Sequence, residues 1–136
     1  MTQLCENTDR EFGRIRVRLT APPDDGDENE RSIISLVSVG DYDMIITGDS
    51  PAKAERRLIE NEEIPDTELL IVGHHGSRSS SDREFLSAIR AEDAIISVGK
   101  NYSFGHPTRA ALARLQAAGC DIYRTDLNGT VEVWIR

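Results

Sequence analysis

Apolar and polar side chains alternate over residues 12–20, with Ile15, Val17 and Leu19 on one side and Arg14, Arg16 and Arg18 on the other. A period of two predicts a strand with one buried face. The apolar set is expected to point inward and the arginines into water. Ala21-Pro22-Pro23 ends this strand, and Asp24-Asp25-Gly26-Asp27-Glu28-Asn29-Glu30 follows. Adjacent like charges resist compaction, so this run reads as a solvated loop. Residues 33–39 and 42–47 are two further apolar runs separated by Gly40-Asp41, which suits a hairpin.

From residue 44 onward the pattern becomes one of repeated strand–helix units. Gly48-Asp49-Ser50-Pro51 follows the third strand, and Pro51 suits the first position of a helix, where its missing N–H is no loss. Ala54, Leu58 and Ile59 give that helix one apolar face, and Ile64-Pro65 breaks it. Residues 69–72 are wholly apolar, as in a strand covered on both faces. Ser81 followed by Glu84 has the spacing of a capping box and opens a helix with Phe85, Leu86 and Ile89 inward. Residues 94–98 predict the next strand. Pro107 opens a helix carrying Ala111, Leu112, Leu115 and Ala118, and Gly119 closes it. Ile122-Tyr123 begins a last strand. Asn128-Gly129 predicts a turn, after which Val131, Val133 and Ile135 alternate, with Trp134 packed in the core or at a sheet edge. The expected architecture is α/β, a mixed sheet with about three helices. Residues 1–28 form an N-terminal strand and acidic loop, and 29–136 the main unit.

The chain has 136 residues, 38% hydrophobic and 29% charged, which fits one soluble domain and excludes wholesale disorder. No apolar run approaches the roughly 20 residues of a membrane helix, and the first residues lack the pattern of a signal peptide. The net charge of −8 disfavours a generic phosphate-neutralising surface. A nuclease remains open, because metal ions supply positive charge locally. Two cysteines, Cys5 and Cys120, have neither a zinc spacing nor the number for a disulfide framework. Cys120 is expected to pack beside the third helix.

Three points carry candidate chemistry. Asp49 follows one predicted strand, His74 and His75 follow the next, and His106 lies in the loop after the third. If those strands run side by side, all three points share the carboxyl-end rim of the sheet, where open α/β sheets bind ligands. Imidazole and carboxylate suit zinc, manganese or iron. Two such ions about 3.5–4 Å apart hold a hydroxide between them and clamp both oxygens of a phosphodiester displacement. Spacing alone leaves plainer roles open: a helix cap for Asp49, a hydrogen-bonded turn for His74-His75, and a structural cap for His106. Ser77 and Ser80 lie in a serine-rich loop before a helix and suit either phosphate binding or an ordinary turn. Lys100 and Asn101 touch phosphate or simply face water. The arginines at 14, 16 and 18 fit a solvated strand face better than a nucleic-acid groove.

Taken in order, Asn29 with Ser32, Ile46-Thr47-Gly48-Asp49, Val72-Gly73-His74-His75-Gly76-Ser77 with Ser80, Ile96-Ser97-Val98-Gly99-Lys100-Asn101, Gly105-His106-Pro107 and Arg124-Thr125-Asp126 with Gly129 resemble the C-terminal domain of ComEC-type DNA internalisation competence proteins. The Gly-His-His-Gly-Ser and Gly-His-Pro blocks together are specific; either alone is weak. The resemblance implies a metallo-β-lactamase fold, an αβ/βα sandwich of which this chain is the C-terminal half. It also implies a nuclease-like phosphodiesterase with a dinuclear Zn2+ or Mn2+ site, degrading the non-transported DNA strand during uptake. By position, Asp49 becomes the metal-bridging carboxylate, His74 the late histidine ligand in preference to its partner His75, and His106 a further histidine on metal or phosphate. Ser77, Ser80, Lys100 and Asn101 become phosphate or substrate contacts.

The family's His-x-His-x-Asp-His motif is absent from this sequence. A partial or empty metal site and an inactive isolated fragment are therefore expected. The implied partners are single-stranded DNA through the parent protein and the remainder of that membrane protein, with this domain outside the cytoplasm. A half sandwich also exposes the sheet face its other half covers, so an open apolar face and a homodimer covering it are expected. Two other functions fit the same residues: hydrolysis of another ester or lactone, and a non-catalytic DNA- or protein-binding module.

Overall fold

The computed structural model describes residues 6–23, 27–100 and 103–135. The residues form one seven-stranded sheet in which every strand lies beside its neighbour in sequence. Strands β1 (Thr8–Phe12), β2 (Ile15–Thr20), β3 (Ile34–Val39) and β4 (Tyr42–Ile46) make an antiparallel meander. Strands β5 (Leu69–Ile71), β6 (Asp93–Ile96) and β7 (Asp121–Arg124) then add parallel to β4 and to one another. Helices α1 (Ala52–Asn61), α2 (Arg83–Ile89) and α3 (Arg109–Ala117) make the three crossovers, and one helical turn, α4 (Thr125–Asn128), follows β7. The class is α/β with a mixed sheet.

Crossovers between parallel strands are right-handed. Since β4 to β7 are added in one direction, each crossover places its helix on the same side of the sheet. The core lies there: Leu58 of α1, Phe85, Leu86 and Ile89 of α2, and Leu115 of α3 pack on Ile34, Leu36, Ile45, Leu70, Ala94 and Ile96. Cys120 is buried beside them, its thiol donating to Ala91 O at 3.2 Å.

The other face is open over β2 to β4, whereas Leu69 and Ile95 further along it are buried. Ile15 and Ile46 are exposed, and Val17, Val37, Met44 and Ile71 are half-buried. These side chains share one face by the strand register. Among the described residues no long helix covers them.

This arrangement reverses the expectation for β2. The apolar side chains of Ile15, Val17 and Leu19 lie on the open face. The arginines lie on the helix side, beyond the end of the core. Arg18 reaches Glu62 at the end of α1 (3.5 Å) and Asp9 of β1 (3.7 Å), and Arg16 pairs with Asp9 at 2.8 Å. Alternation established the strand, but which face is inward depends on where the helices land. The first strand, β1, was not predicted, because Thr8–Phe12 is mostly polar and exposed on both faces.

Three caps also differ. Pro51 is the cap of α1, with Ala52 the first helical residue. The cap of α2 is Asp82, whose side chain accepts from Phe85 N, and not Ser81. Thr108 caps α3 in the same way, accepting from Ala111 N, so Pro107 stands outside that helix.

The last predicted strand, begun by Ile122-Tyr123, forms as β7, but the alternation at Val131, Val133 and Ile135 makes no further strand: the chain turns helically at Thr125–Asn128 and is irregular through residue 135. The Asn128 side chain accepts the Arg124 N–H, and Gly129 N–H donates to Thr125 O, so the turn closes on itself. Trp134 is 82% exposed, neither core nor edge packing.

Candidate functional site

The carboxyl ends of β4, β5 and β6 are adjacent, and the loops leaving them form one rim. Asp49 comes from the first loop, His74 and His75 from the second and His106 from the third. His74 N–H donates to Gly48 O at 2.8 Å, joining the first two loops. Gly76 O accepts both the Thr108 N–H (2.9 Å) and the Thr108 hydroxyl (3.2 Å), joining the second and third. The His74 ring lies edge-on to both other imidazoles, at 6.4 Å from His75 and 5.6 Å from His106 between centroids. The structure thus brings the three histidines and Asp49 to one place.

The rings are not equivalent. His75 Nδ1 lies 2.7 Å from Ser97 O. A carbonyl only accepts, so the neutral ring carries its proton on Nδ1 and turns Nε2 toward Asp49 Oδ1, 3.6 Å away. A backbone carbonyl holding one nitrogen while the other faces a carboxylate is the arrangement that orients a metal-ligating histidine. The sequence favoured His74, nearer the strand end, as the ligand. The carbonyl-oriented ring beside Asp49 is instead His75. His74 is half-buried, and its Nδ1 has no hydrogen-bond partner among the described residues. Burial, together with the electrostatic effect of the neighbouring His74 and His75, lowers the pKa of His106.

The backbone is strained at this point. His74 (φ 49°, ψ 43°) and His75 (φ 54°, ψ 26°) are both left-handed, and Ser81 at the end of the same loop has φ 51°. Such a conformation costs a residue with a side chain on the order of 1–2 kcal/mol. It persists only where the surroundings enforce it, and it concentrates at functional sites. Gly73 admits no side chain: a Cβ there would lie 2.9 Å from Thr47 Oγ1 and 3.2 Å from the carbonyl of Ser50.

The serines expected on phosphate are used inside the loop. Ser80 is fully buried, and its hydroxyl donates to Gly73 O at 2.8 Å. Ser77 is also buried, its hydroxyl 3.0 Å from that of Ser79. In this conformation both hold the loop's shape. Lys100 is exposed, and Asn101 lies outside the described residues.

The donor set of imidazoles and one carboxylate has the right chemistry for a borderline divalent ion. Among the described residues, however, no three His, Cys, Asp or Glu side chains are placed to hold one ion. These residues therefore fit part of a metal centre and do not complete one, and no hydrolytic step is assigned to them alone.

Two contributors escaped the sequence reading. Glu55 of α1 is fully buried, and its Oε2 accepts the Ser81 N–H at 2.6 Å. Arg114 of α3 donates to Ser80 O at 2.7 Å, Ser81 O at 2.8 Å and Arg78 O at 3.2 Å. A signal for Glu55 was present. It stands in the apolar stripe of α1, three and four residues before Leu58 and Ile59, where a carboxylate needs a partner. Arg114 had no such signal.

No family model matches the chain. Curated proteins do. The chain is 34% identical over 110 residues to ComE operon protein 3 of Bacillus subtilis, covering 81% of this chain and 14% of that protein. It is 36% identical over 107 residues to competence protein ComA of Neisseria gonorrhoeae, covering 78% and 16%. It is 33% identical over 106 residues to recombination protein 2 of Haemophilus influenzae, covering 78% and 13%. The chain thus spans about one seventh of the length of these relatives. With its rim of three histidines and an aspartate, it is homologous to one segment of a family of bacterial competence proteins.

Proposed function

We propose that this chain contributes part of the metal-dependent centre of a DNA phosphodiesterase that acts during DNA uptake, and that it is inactive in isolation. The observation that supports this best is the convergence of His74, His75 and His106 with Asp49 on one rim, with His75 oriented by the Ser97 carbonyl. The remaining ligands come from elsewhere in the parent protein, as do its membrane attachment and its access to single-stranded DNA. Bound Zn2+ or Mn2+ supplies an activated hydroxide and a counter-charge for phosphate. This chain's part is to hold two or three ligands in orientation.

The test is titration with Zn2+ or Mn2+ followed by calorimetry and by the histidine ring resonances, with cleavage of a labelled single-stranded oligonucleotide measured in parallel. Weak binding that perturbs His75 and His74, is lost in His75→Ala, and is accompanied by no cleavage is expected. Tight stoichiometric binding with cleavage by this chain alone would show a complete site. Ring resonances indifferent to metal would remove the metal reading.

We also propose that the chain is one layer of an αβ/βα sandwich of the metallo-β-lactamase type, its open face covered by the preceding half of the domain. The uncovered apolar face at Ile15, Val37 and Ile46 supports this. An isolated chain with that face bare self-associates. Light scattering is expected to show a dimer or larger species that Val37→Lys, on the open face, shifts to monomer. A wild-type chain that stays monomeric at high concentration would count against the layer.

A further inference from the structure

We propose that Glu55 and Arg114 are positioning residues that together clamp the histidine-bearing loop, residues 73–81, into its strained conformation. The inference deepens the reading of the rim as a metal-ligating surface and rests on it only for the purpose of the clamp, not for its existence.

The loop enters and leaves through unfavourable backbone. His74 and His75 at its start, and Ser81 at its end, all have positive φ. Something must hold these residues, or the loop relaxes and the imidazoles lose their places. Ser81 is gripped at both of its peptide groups. Its N–H donates to Glu55 Oε2 from the α1 side (2.6 Å), and its C=O accepts from Arg114 Nε on the α3 side (2.8 Å). The same guanidinium also takes the carbonyls of Ser80 and Arg78, so one side chain satisfies three carbonyls within four residues of the loop. Glu55 Oε1 lies directly under Gly73, 3.0 Å from where a Cβ would stand, so the carboxyl spans from the loop's last residue to the one before His74. Hydrogen bonds to a charged group such as Arg114 contribute about 1.5–3 kcal/mol each and those to a neutral carboxyl about 0.5–1.5 kcal/mol, together the same order as the strain at the left-handed residues.

A buried acid that merely filled core volume would need none of this. Leucine fits the stripe of α1 better, and a carboxyl taken from water costs free energy unless it is bonded. Its one described partner is the loop's backbone, and Oε1 makes no hydrogen bond among the described residues. Arg114, at a half-buried position of α3, likewise spends all its described bonds on the loop.

The test is amide hydrogen exchange with the ring resonances of His74, His75 and His106, in Glu55→Ala, Glu55→Gln and Arg114→Met. The Ala and Met variants are expected to speed exchange across residues 77–81 by about tenfold or more relative to Ile45 and Leu70, and to move the His74 and His75 resonances. Glu55→Gln keeps an acceptor oxygen at the same place and is expected to restore both readouts. The clamp is overturned if exchange in the loop rises only in step with Ile45 and Leu70, the mark of a core residue. It is equally overturned if the histidine resonances stay put, or if Gln behaves as Ala does. Should Glu55→Ala not fold, Arg114→Met and Glu55→Gln carry the same comparison. No readout uses metal or DNA, so the clamp and the rim's metal chemistry stand or fall separately.

Discussion

Gly76→Ala is expected to destabilise the chain by on the order of 3–4 kcal/mol, read as a lowered urea midpoint at unchanged slope. Two independent costs add. Gly76 has φ +79°, which an alanine adopts only with strain. An added Cβ would also lie 2.6 Å from Pro107 Cβ and 3.1 Å from Pro107 Cα, closer than non-bonded carbons approach. Proline cannot swing away as a long side chain would, so the two loops must part. Parting them breaks the bonds from Thr108 to Gly76 O and separates His106 from His74. Gly99→Ala is the control: its Cβ meets nothing within 4 Å, and a change within about 0.5 kcal/mol is expected. Equal effects at the two positions would refute the close approach of the loops.

The second large effect is a dependence of stability on pH that resides in Glu55. Burial pushes its carboxyl up from an ordinary 4.5 to about 8; the Ser81 N–H opposes this, and Asp82 adds to it while Arg114 weakly offsets it. The sign follows from proton counting. Below 4.5 both folded and unfolded chains carry the proton; between 4.5 and about 8 only the folded chain does. Glu55 therefore contributes most to stability at low pH, and its contribution falls as pH rises through that window. At about 1.4 kcal/mol per pKa unit, the whole decline is on the order of 5 kcal/mol.

Glu55→Gln removes the titration. The difference in unfolding free energy between the parent and this variant is expected to slope downward from pH 5 to pH 8, and to flatten beyond. The difference isolates Glu55 from His106, whose lowered pKa acts with the opposite sign. Asp9 and Asp126, held low by Arg16 and Arg124, act below the window. Parallel curves for parent and variant would show that the buried carboxyl is charged throughout.

Much of the site was legible because its residues sit at strand ends. A strand that must hand over to a helix does so at its carboxyl end, and repeated units put successive handovers side by side. Asp49, His74-His75 and His106 could therefore be grouped before any coordinates were known. The choice between the two adjacent histidines could not. It depends on the Ser97 carbonyl, in the loop just past β6 and 22 residues further on. Ser77 and Ser80 looked like phosphate contacts because hydroxyls beside a helix start usually face solvent; burial of the loop turned them inward.

The local errors share one cause. The α2 cap moved from Ser81 to Asp82 because Glu55 and Arg114 take the Ser81 peptide groups and hold it left-handed. The alternation after Asn128-Gly129 makes no strand because these two residues close a helical turn directly after β7. In both cases a local pattern was a valid option that another bond outcompeted.

By itself the sequence determined the elements from β2 to β7 and their order, the α/β class, and the four residues of the rim. Each follows from periods of two and 3.6 and from where turns must fall, which are properties of neighbouring residues. Only the tertiary structure decided which face of β2 is inward and that Glu55 and Arg114 hold the histidine loop. Those outcomes depend on the handedness of three crossovers and on contacts 26 and 33 residues apart in the chain, distances over which no local pattern extends.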